Sequence, residues 1–199
     1  MNIKTPLVSV YVVNYNYAQY VDEAILSVLN QSYKNLEVIV IDDGSTDNSR
    51  EIISNYKEHD KVSVIFQKNR GLNATNNIAI KEANGEYIVR LDADDYFQRD
   101  ALLVLVNRLE QDPDLAMVFP DYYYIDSQGN ILGNEIRYDF SREVTLKNLP
   151  AHGACTMFRR SVLLDVGMYT EGLRCQDGYD IWLKIINKYK VDNIRLPLF

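Results

Sequence analysis

Hydrophobic positions in the first 112 residues fall into short continuous runs, separated by stretches with helical spacing. The runs "LVSVYVV" (7–13), "LEVIVID" (36–42), "VSVIF" (62–66) and "EYIVRLD" (86–92) are rich in Val and Ile. That is the pattern of strands covered on both faces. Between them lie "AQYVDEAILSVLNQ" (18–31), "SREIISNYKE" (49–58) and "LNATNNIAIKEA" (72–83), and "RDALLVLVNRLEQD" (99–112) follows the fourth and stops at Pro113. All four read as helices. In the first, Tyr20, Ala24, Leu26 and Val28 are expected to face the core. Asn84-Gly85 is expected to end the third as a C-cap. Strands alternating with helices of this length predict βαβ units, hence a mainly parallel sheet with helices on both faces. Ligands of such sheets bind beyond the carboxyl ends of the strands.

From Leu115 the pattern changes. "AMVFPDYYYID" (116–126) and "NILGNEIRYDF" (130–140) read as strands around the turn "SQGN", and "ACTMFRR" (154–160) as another. A short helix "SVLLDVG", a helix "GYDIWLKIINKYK" (178–190) and the terminal "VDNIRLPLF" complete a mixed α/β second half. No linker, repeat or low-complexity segment divides the chain. It reads as one domain over 1–199, with a ligand-binding half to about 112 and a second half over about 113–199.

The 199 residues suffice for one sizeable core. Net charge is −7 with no basic run, which argues against a nucleic-acid partner. The start has no signal-peptide pattern, and no apolar stretch approaches the roughly 20 residues of a membrane-spanning helix. Cys155 and Cys175 make a poor disulfide framework and read as reduced structural thiols of a cytoplasmic protein.

Polar residues gather where strands end. Asn14-Tyr15-Asn16, Asp42-Asp43 and Asp92/Asp94/Asp95 each follow a strand and should converge on one edge. In "IDDGSTDNS" Ser45 or Asp47 can cap the next helix, while a carboxylate at the strand end can accept from a ribose hydroxyl or a base N–H. Arg70, one residue before a helix-opening glycine, reads either as a solvated arginine or as a fork aimed at phosphate or nucleobase. Three carboxylates within "LDADD" repel one another unless they face solvent or share a cation. The EF-hand spacing is absent, but Asp side chains plus a diphosphate are a usual ligand set for Mg²⁺ or Mn²⁺. His152, in "HGACTMF", is a lone histidine before a strand. In "CQDGYDIWLK", Asp177 and Asp180 sit at a helix start, where N-cap and first-turn roles are the simple explanation.

Taken in order, "VSVYVVNYNYAQYVDEAILSVLNQSYKNLEVIVIDDGSTDNS", "KNRGLNATNNIAIKEANGEYIVRLDADD" and "CQDGYDIWLKI" strongly resemble the family-2 inverting glycosyltransferases of the GT-A fold. The likeness runs over roughly 7–190. It implies a GT-A, Rossmann-like sheet and a nucleotide-diphosphate sugar donor, with a UDP-sugar favoured. It implies a saccharide or lipid-linked acceptor in polysaccharide or glycoconjugate synthesis. Nucleotide contacts then fall on Val13, Asn14, Tyr15, Asp43, Arg70 and Asp92, and Mn²⁺ or Mg²⁺ on Asp94 and Asp95. His152 and Gly153 fall near the acceptor or donor sugar. The family's catalytic aspartate, in a Glu-Asp pair, matches Asp177. Here the pair reads Gln176-Asp177 with Asp180 three residues on, so Asp180 stays as the second candidate. Family members usually continue past a strand like "NIRLPLF". That predicts a truncated or minimal catalytic domain, with membrane association through a further region or partner.

The implied reaction is a single in-line displacement with inversion, in which the base takes a proton from the acceptor hydroxyl. Two rivals share the architecture. A sugar-1-phosphate nucleotidyltransferase would want a glycine-rich basic loop after the first strand, and "VVNYNYAQY" has none. A non-catalytic nucleotide-sugar-binding domain would hold donor without turning it over.

Overall fold

A computed structural model describes residues 5–137, 153–173 and 177–199. The first half alternates β1 (Val8–Asn14), α1 (Val21–Leu29), β2 (Leu36–Asp42), α2 (Ser49–Ser54), β3 (Val62–Phe66), α3 (Leu72–Glu82), β4 (Tyr87–Asp92) and α4 (Ala101–Gln111). The second contributes β5 (Leu115–Ile125), β6 (Ile131–Glu135), β7 (Met157–Arg159), α5 (Arg160–Asp165), α6 (Asp177–Ile186) and β8 (Lys190–Pro197). His152 and Cys175 lie outside the described residues.

The strands form one sheet in the order β3-β2-β1-β4-β7-β5-β6, with β8 paired to β5. β1 pairs in parallel with both β2 and β4, and β2 with β3, so four carboxyl ends share one edge. β7 enters antiparallel between β4 and β5, and β8 runs parallel to β5. The sheet is therefore mixed and mostly parallel. Side chains alternate across it. Val8, Val10 and Val12 of β1 pack with Ala24, Ile25, Val28, Leu102 and Leu105 on one face. Tyr11 joins Ile80, Phe119, Leu163, Trp182 and Ile185 on the other.

Two local expectations are corrected. The buried stripe of α1 is Val21, Ala24, Ile25 and Val28, while Leu26 is 42% exposed and Tyr20 half-buried. The helix begins at Val21, and a spacing of i, i+3, i+4, i+7 from there leaves Leu26 off the core face. Gly85 is not a cap: α3 ends at Glu82 with Ala83 already extended. A Cβ on Gly85 would lie 2.6 Å from the Ser9 N, the Ser9 Oγ and the Tyr87 O, so glycine there allows close approach to β1. Among the described residues no helix is long and apolar enough to cross a membrane.

Candidate functional site

The β1–α1 and β2–α2 loops meet at the carboxyl edge and are bonded to each other. Asn14, the last residue of β1, is fully buried and donates through Nδ2 to Asp42 Oδ2 (3.1 Å) and Ser45 Oγ (3.0 Å). The Asn16 N–H also donates to Ser45 Oγ (2.9 Å), and Asn16 Oδ1 accepts from the Thr46 N–H (2.7 Å). Asp47 accepts from the N–H of Ala18 at 2.9 Å and of Ser49 at 3.0 Å. Burial works to raise the Asp42 pKa, but the bonds it accepts from Ser45, Arg50 and Asn14 outweigh it and hold the carboxylate below its ordinary value. Gly44, at φ +86°, completes the turn, and a Cβ there would stand 2.6 Å from the Asn69 backbone N. Glycine thus lets the β2–α2 loop lie against the segment leading into α3.

Asp43 is 3% exposed and ties that segment down. Its Oδ1 accepts from Gln67 Nε2 (2.8 Å) and the Arg70 N–H (2.8 Å), and its Oδ2 from the Gly71 N–H (2.9 Å). Gln67 Nε2 also reaches Thr75 Oγ1 of α3 at 2.9 Å. The loop before α3 is therefore shaped around one carboxylate.

These contacts frame a cavity of about 350 Å³ lined by Val13, Tyr15, Tyr17, Asp43, Asn69, Gly71, Leu72, Asp92, Ala93 and Asp94. Of the residues expected at the nucleotide, Val13, Tyr15, Asp43 and Asp92 line it, and so does Asp94. Asn14 does not: it is fully buried, and its Nδ2 is given to Asp42 and Ser45. The Arg70 side chain is exposed and outside the lining, while its backbone N–H serves Asp43. Tyr17, Asn69 and Leu72 were not foreseen. Tyr17 had a signal, an aromatic ring in a polar loop directly after a strand.

The acidic stretch after β4 divides into unlike parts. Asp92 is ion-paired with Arg90, Nε to Oδ1 at 2.8 Å, and the Arg90 side chain is 4% exposed. Arg90 is the one basic residue within the run "YIVRLD". Asp95 has its pKa pushed up to about 7, by burial first and then by Asp92 and Asp94, against the pull of Arg90. Asp94 and Tyr17 line the cavity together, and the Tyr17 phenol is pushed up by the Asp94 charge, by burial and by Asp92. Asp94 and Asp95 also line a second cavity of about 370 Å³, with Tyr20, Glu23, Tyr96 and the 125–129 turn.

Among the described residues no group of three or more His, Cys, Asp or Glu side chains is arranged to hold a metal alone. The donor set still suits a hard cation that brings further ligands of its own. Its oxygens are carboxylates: Asp92 and Asp94 line one cavity, and Asp94 and Asp95 the adjoining one.

Behind this edge a second buried guanidinium braces the sheet. Arg137 stacks over Phe119 at 4.8 Å, and its backbone N–H donates to Asp121 Oδ1 at 2.9 Å. Burial brings its pKa down to about 10. Gly153 is buried nearby in the chain, before the fully buried Cys155, whose thiol burial pushes up.

At α6, Asp177 is the first helical residue. Asp180 is committed elsewhere. It accepts from the Thr170 N–H (2.7 Å), from Thr170 Oγ1 (3.1 Å) and from Lys184 Nζ (2.9 Å). Burial raises its pKa, but the Lys184 and Thr170 bonds outweigh this and lower it.

The family model for glycosyl transferase family 2 matches residues 9–167. The chain belongs to glycosyl transferase family 2. Curated relatives include a chondroitin synthase of Escherichia coli, 34% identical over 184 residues, covering 92% of this chain and 27% of that protein. A hyaluronan synthase of Pasteurella multocida is 33% identical over 191 residues, 94% of this chain and 20% of that protein. The family-2 chain thus spans only a minor part of these relatives. Among solved structures, Staphylococcus aureus TarS residues 1–349 superpose with a TM-score of 0.78 at 23% identity, over 96% of this chain and 59% of that one. The mannosyltransferase PcManGT of Pyrobaculum calidifontis, solved with GDP-Man and Mn²⁺, gives 0.74 at 23% identity, over 96% and 55%. Both share the GT-A fold with this family-2 chain.

Proposed function

We propose that this family-2 domain transfers a glycosyl group from a nucleotide-diphosphate sugar to an acceptor hydroxyl, with inversion at the anomeric carbon. The observation that carries the reading is the cavity at the carboxyl edge, with Tyr15 and Asp43 at one side and Asp92 and Asp94 at the other. It offers an aromatic face, buried acceptors and a cation-suited acidic wall within one concavity. TarS has also been solved with UDP and with UDP-GlcNAc, and PcManGT with GDP-Man, which supports a nucleotide sugar as donor.

In this reading Tyr15, 47% exposed at the rim, stacks on the nucleobase, and Val13 packs against it from below. Asp43 uses lone pairs left by its three N–H partners to accept from a base N–H. Asp92, oriented by Arg90, accepts from the ribose. Asp94 and Asp95 would hold Mn²⁺ or Mg²⁺, which when bound supplies positive charge against the leaving diphosphate. Asp177 takes the proton from the acceptor hydroxyl as its oxygen forms the new glycosidic bond. The commitment of Asp180 to Thr170 and Lys184 supports Asp177 for that role.

The test is transfer and donor hydrolysis with a panel of UDP- and GDP-sugars, with and without Mn²⁺, reading the product's anomeric configuration by NMR. Retention of configuration overturns the inverting mechanism. Binding of donor with no turnover on any acceptor class supports the non-catalytic rival.

A further inference from the structure

Arg90 sits in the middle of the sheet, opposite Tyr11 of β1 and bridged to Ala154. It is 3% exposed, and its β4 neighbours Val89 and Leu91 are fully buried. A guanidinium there is costly unless it is paired. Strand alternation puts residues two apart on one face, so Arg90 and Asp92 share a face at the strand end. The guanidinium engages both Asp92 oxygens: Nε stands 2.8 Å from Oδ1, and Nη2 donates to Oδ2 at 3.3 Å. Asp92 lines the cavity and its side chain keeps 28% exposure, whereas Arg90 is not among the lining residues. The carboxylate is thus gripped from the buried side and open on the other.

The other two acids are placed differently. The Asp95 N–H donates to the Asp92 carbonyl at 3.0 Å, so the chain turns as β4 ends, and Asp94 and Asp95 belong to the turn. Asp94 is exposed and lines both cavities. Three carboxylates in four positions would otherwise compete for one cation. A carboxylate already neutralised by a guanidinium offers a divalent ion less than its neighbours do, because the ion must then sit near a fixed positive charge. Its open lone pairs still accept from neutral O–H groups. We propose that Arg90 is a positioning residue that reserves Asp92 for the ribose hydroxyls of the nucleotide and keeps it out of the cation's ligand set. This rests on the reading of Asp92 as the ribose acceptor, with the cation at Asp94 and Asp95. Arginine suits the task better than lysine, since its planar fork fixes both oxygens at once.

The experiment uses the full chain and two readouts. Mn²⁺ alone is titrated and followed by electron paramagnetic resonance. UDP and GDP, each beside its 2′,3′-dideoxy analogue, are then titrated calorimetrically at saturating Mn²⁺. The Kd of the dideoxy analogue divided by that of its parent, within one variant, reports the ribose hydroxyls. In Arg90→Met that ratio is expected to fall roughly tenfold, the scale of losing an outer hydrogen-bond partner. The Kd for Mn²⁺ alone is expected to fall several-fold in the same variant, because Asp92 joins the other two acids. Arg90→Lys keeps the charge but not the fork. It is expected to lose ribose discrimination with Mn²⁺ affinity unchanged, and it carries the test if Arg90→Met does not fold. A merely structural arginine would weaken both ligands together and leave the ratio as it was. Unchanged discrimination in either folded variant, or unchanged or weaker Mn²⁺ binding in Arg90→Met, overturns the inference. Asp92→Asn checks the reading beneath it: discrimination that survives Asp92→Asn overturns Asp92 as the ribose acceptor, and the inference with it.

Discussion

The carboxylate of Asp180 accepts from both the backbone N–H and the hydroxyl of Thr170, at 2.7 and 3.1 Å. With Lys184 Nζ at 2.9 Å, it fastens α6 to the segment that bonds Asn73 and Asn77 of α3. Asp180→Asn is therefore expected to act on stability, costing about 1–3 kcal/mol for the lost charged bonds, visible as a lower melting temperature. Asp177→Asn is expected to reduce transfer by several orders of magnitude with donor binding retained. Full transfer in Asp177→Asn, read with a nucleotide-release assay, would sink the base assignment.

Asp43→Ala should do two things at once. It leaves Gln67 Nε2 and the N–H groups of Arg70 and Gly71 without their acceptor, so the ligand-free protein should lose about 1–3 kcal/mol. Nucleoside diphosphate affinity should fall with it, because the loop before α3 forms the cavity wall. Calorimetry and thermal melts together separate the effects: a lower melting temperature with an unchanged Kd would confine Asp43 to the loop.

Gly44→Ala places a Cβ 2.6 Å from the Asn69 N at a backbone φ of +86°. Either the β2–α2 loop or the Asn69 segment must move. A loss on the order of 1–3 kcal/mol is expected from strain at such a position, together with weaker nucleotide binding, since Asn69 lines the cavity.

Asp95 supplies a pH signature. Its folded pKa of about 7 lies above the ordinary value of 3.8, so between those values the folded state binds the extra proton. Stability from this group is full below about 4 and is lost as pH rises through 7. In EDTA, Asp95→Asn should therefore match wild type near pH 4 and melt progressively higher than wild type up to pH 8. Added Mn²⁺ should narrow that gap in the wild type's favour. A pH-independent difference would show that Asp95 titrates normally.

Removal of divalent cations with EDTA is expected to abolish transfer while leaving the nucleotide-free fold intact, because the acidic residues lie at and beyond the end of β4. Readdition of Mn²⁺ with UDP should raise the melting temperature, as any ligand selective for the folded state does. Transfer that persists in EDTA would remove the cation from the reaction.

The sequence alone determined the elements of the first half and the edge on which the polar residues gather. β2 and β3 run over the expected residues, and α3 begins at the expected Leu72. Strand and helix periods are written in neighbours two to four positions apart, so local pattern suffices for them. Which polar groups face the ligand was decided by contacts across the chain. Asn14 and Asp43 look alike as strand-end residues, yet one is sealed under Ser45 and the other forms the cavity wall. Asp180 is occupied by Thr170, ten residues earlier, and Asp92 by Arg90 on its own strand. A carboxylate serves a substrate only through the lone pairs that its protein donors leave open. Its nearest donors are set by loops meeting in space, which no period along the chain encodes.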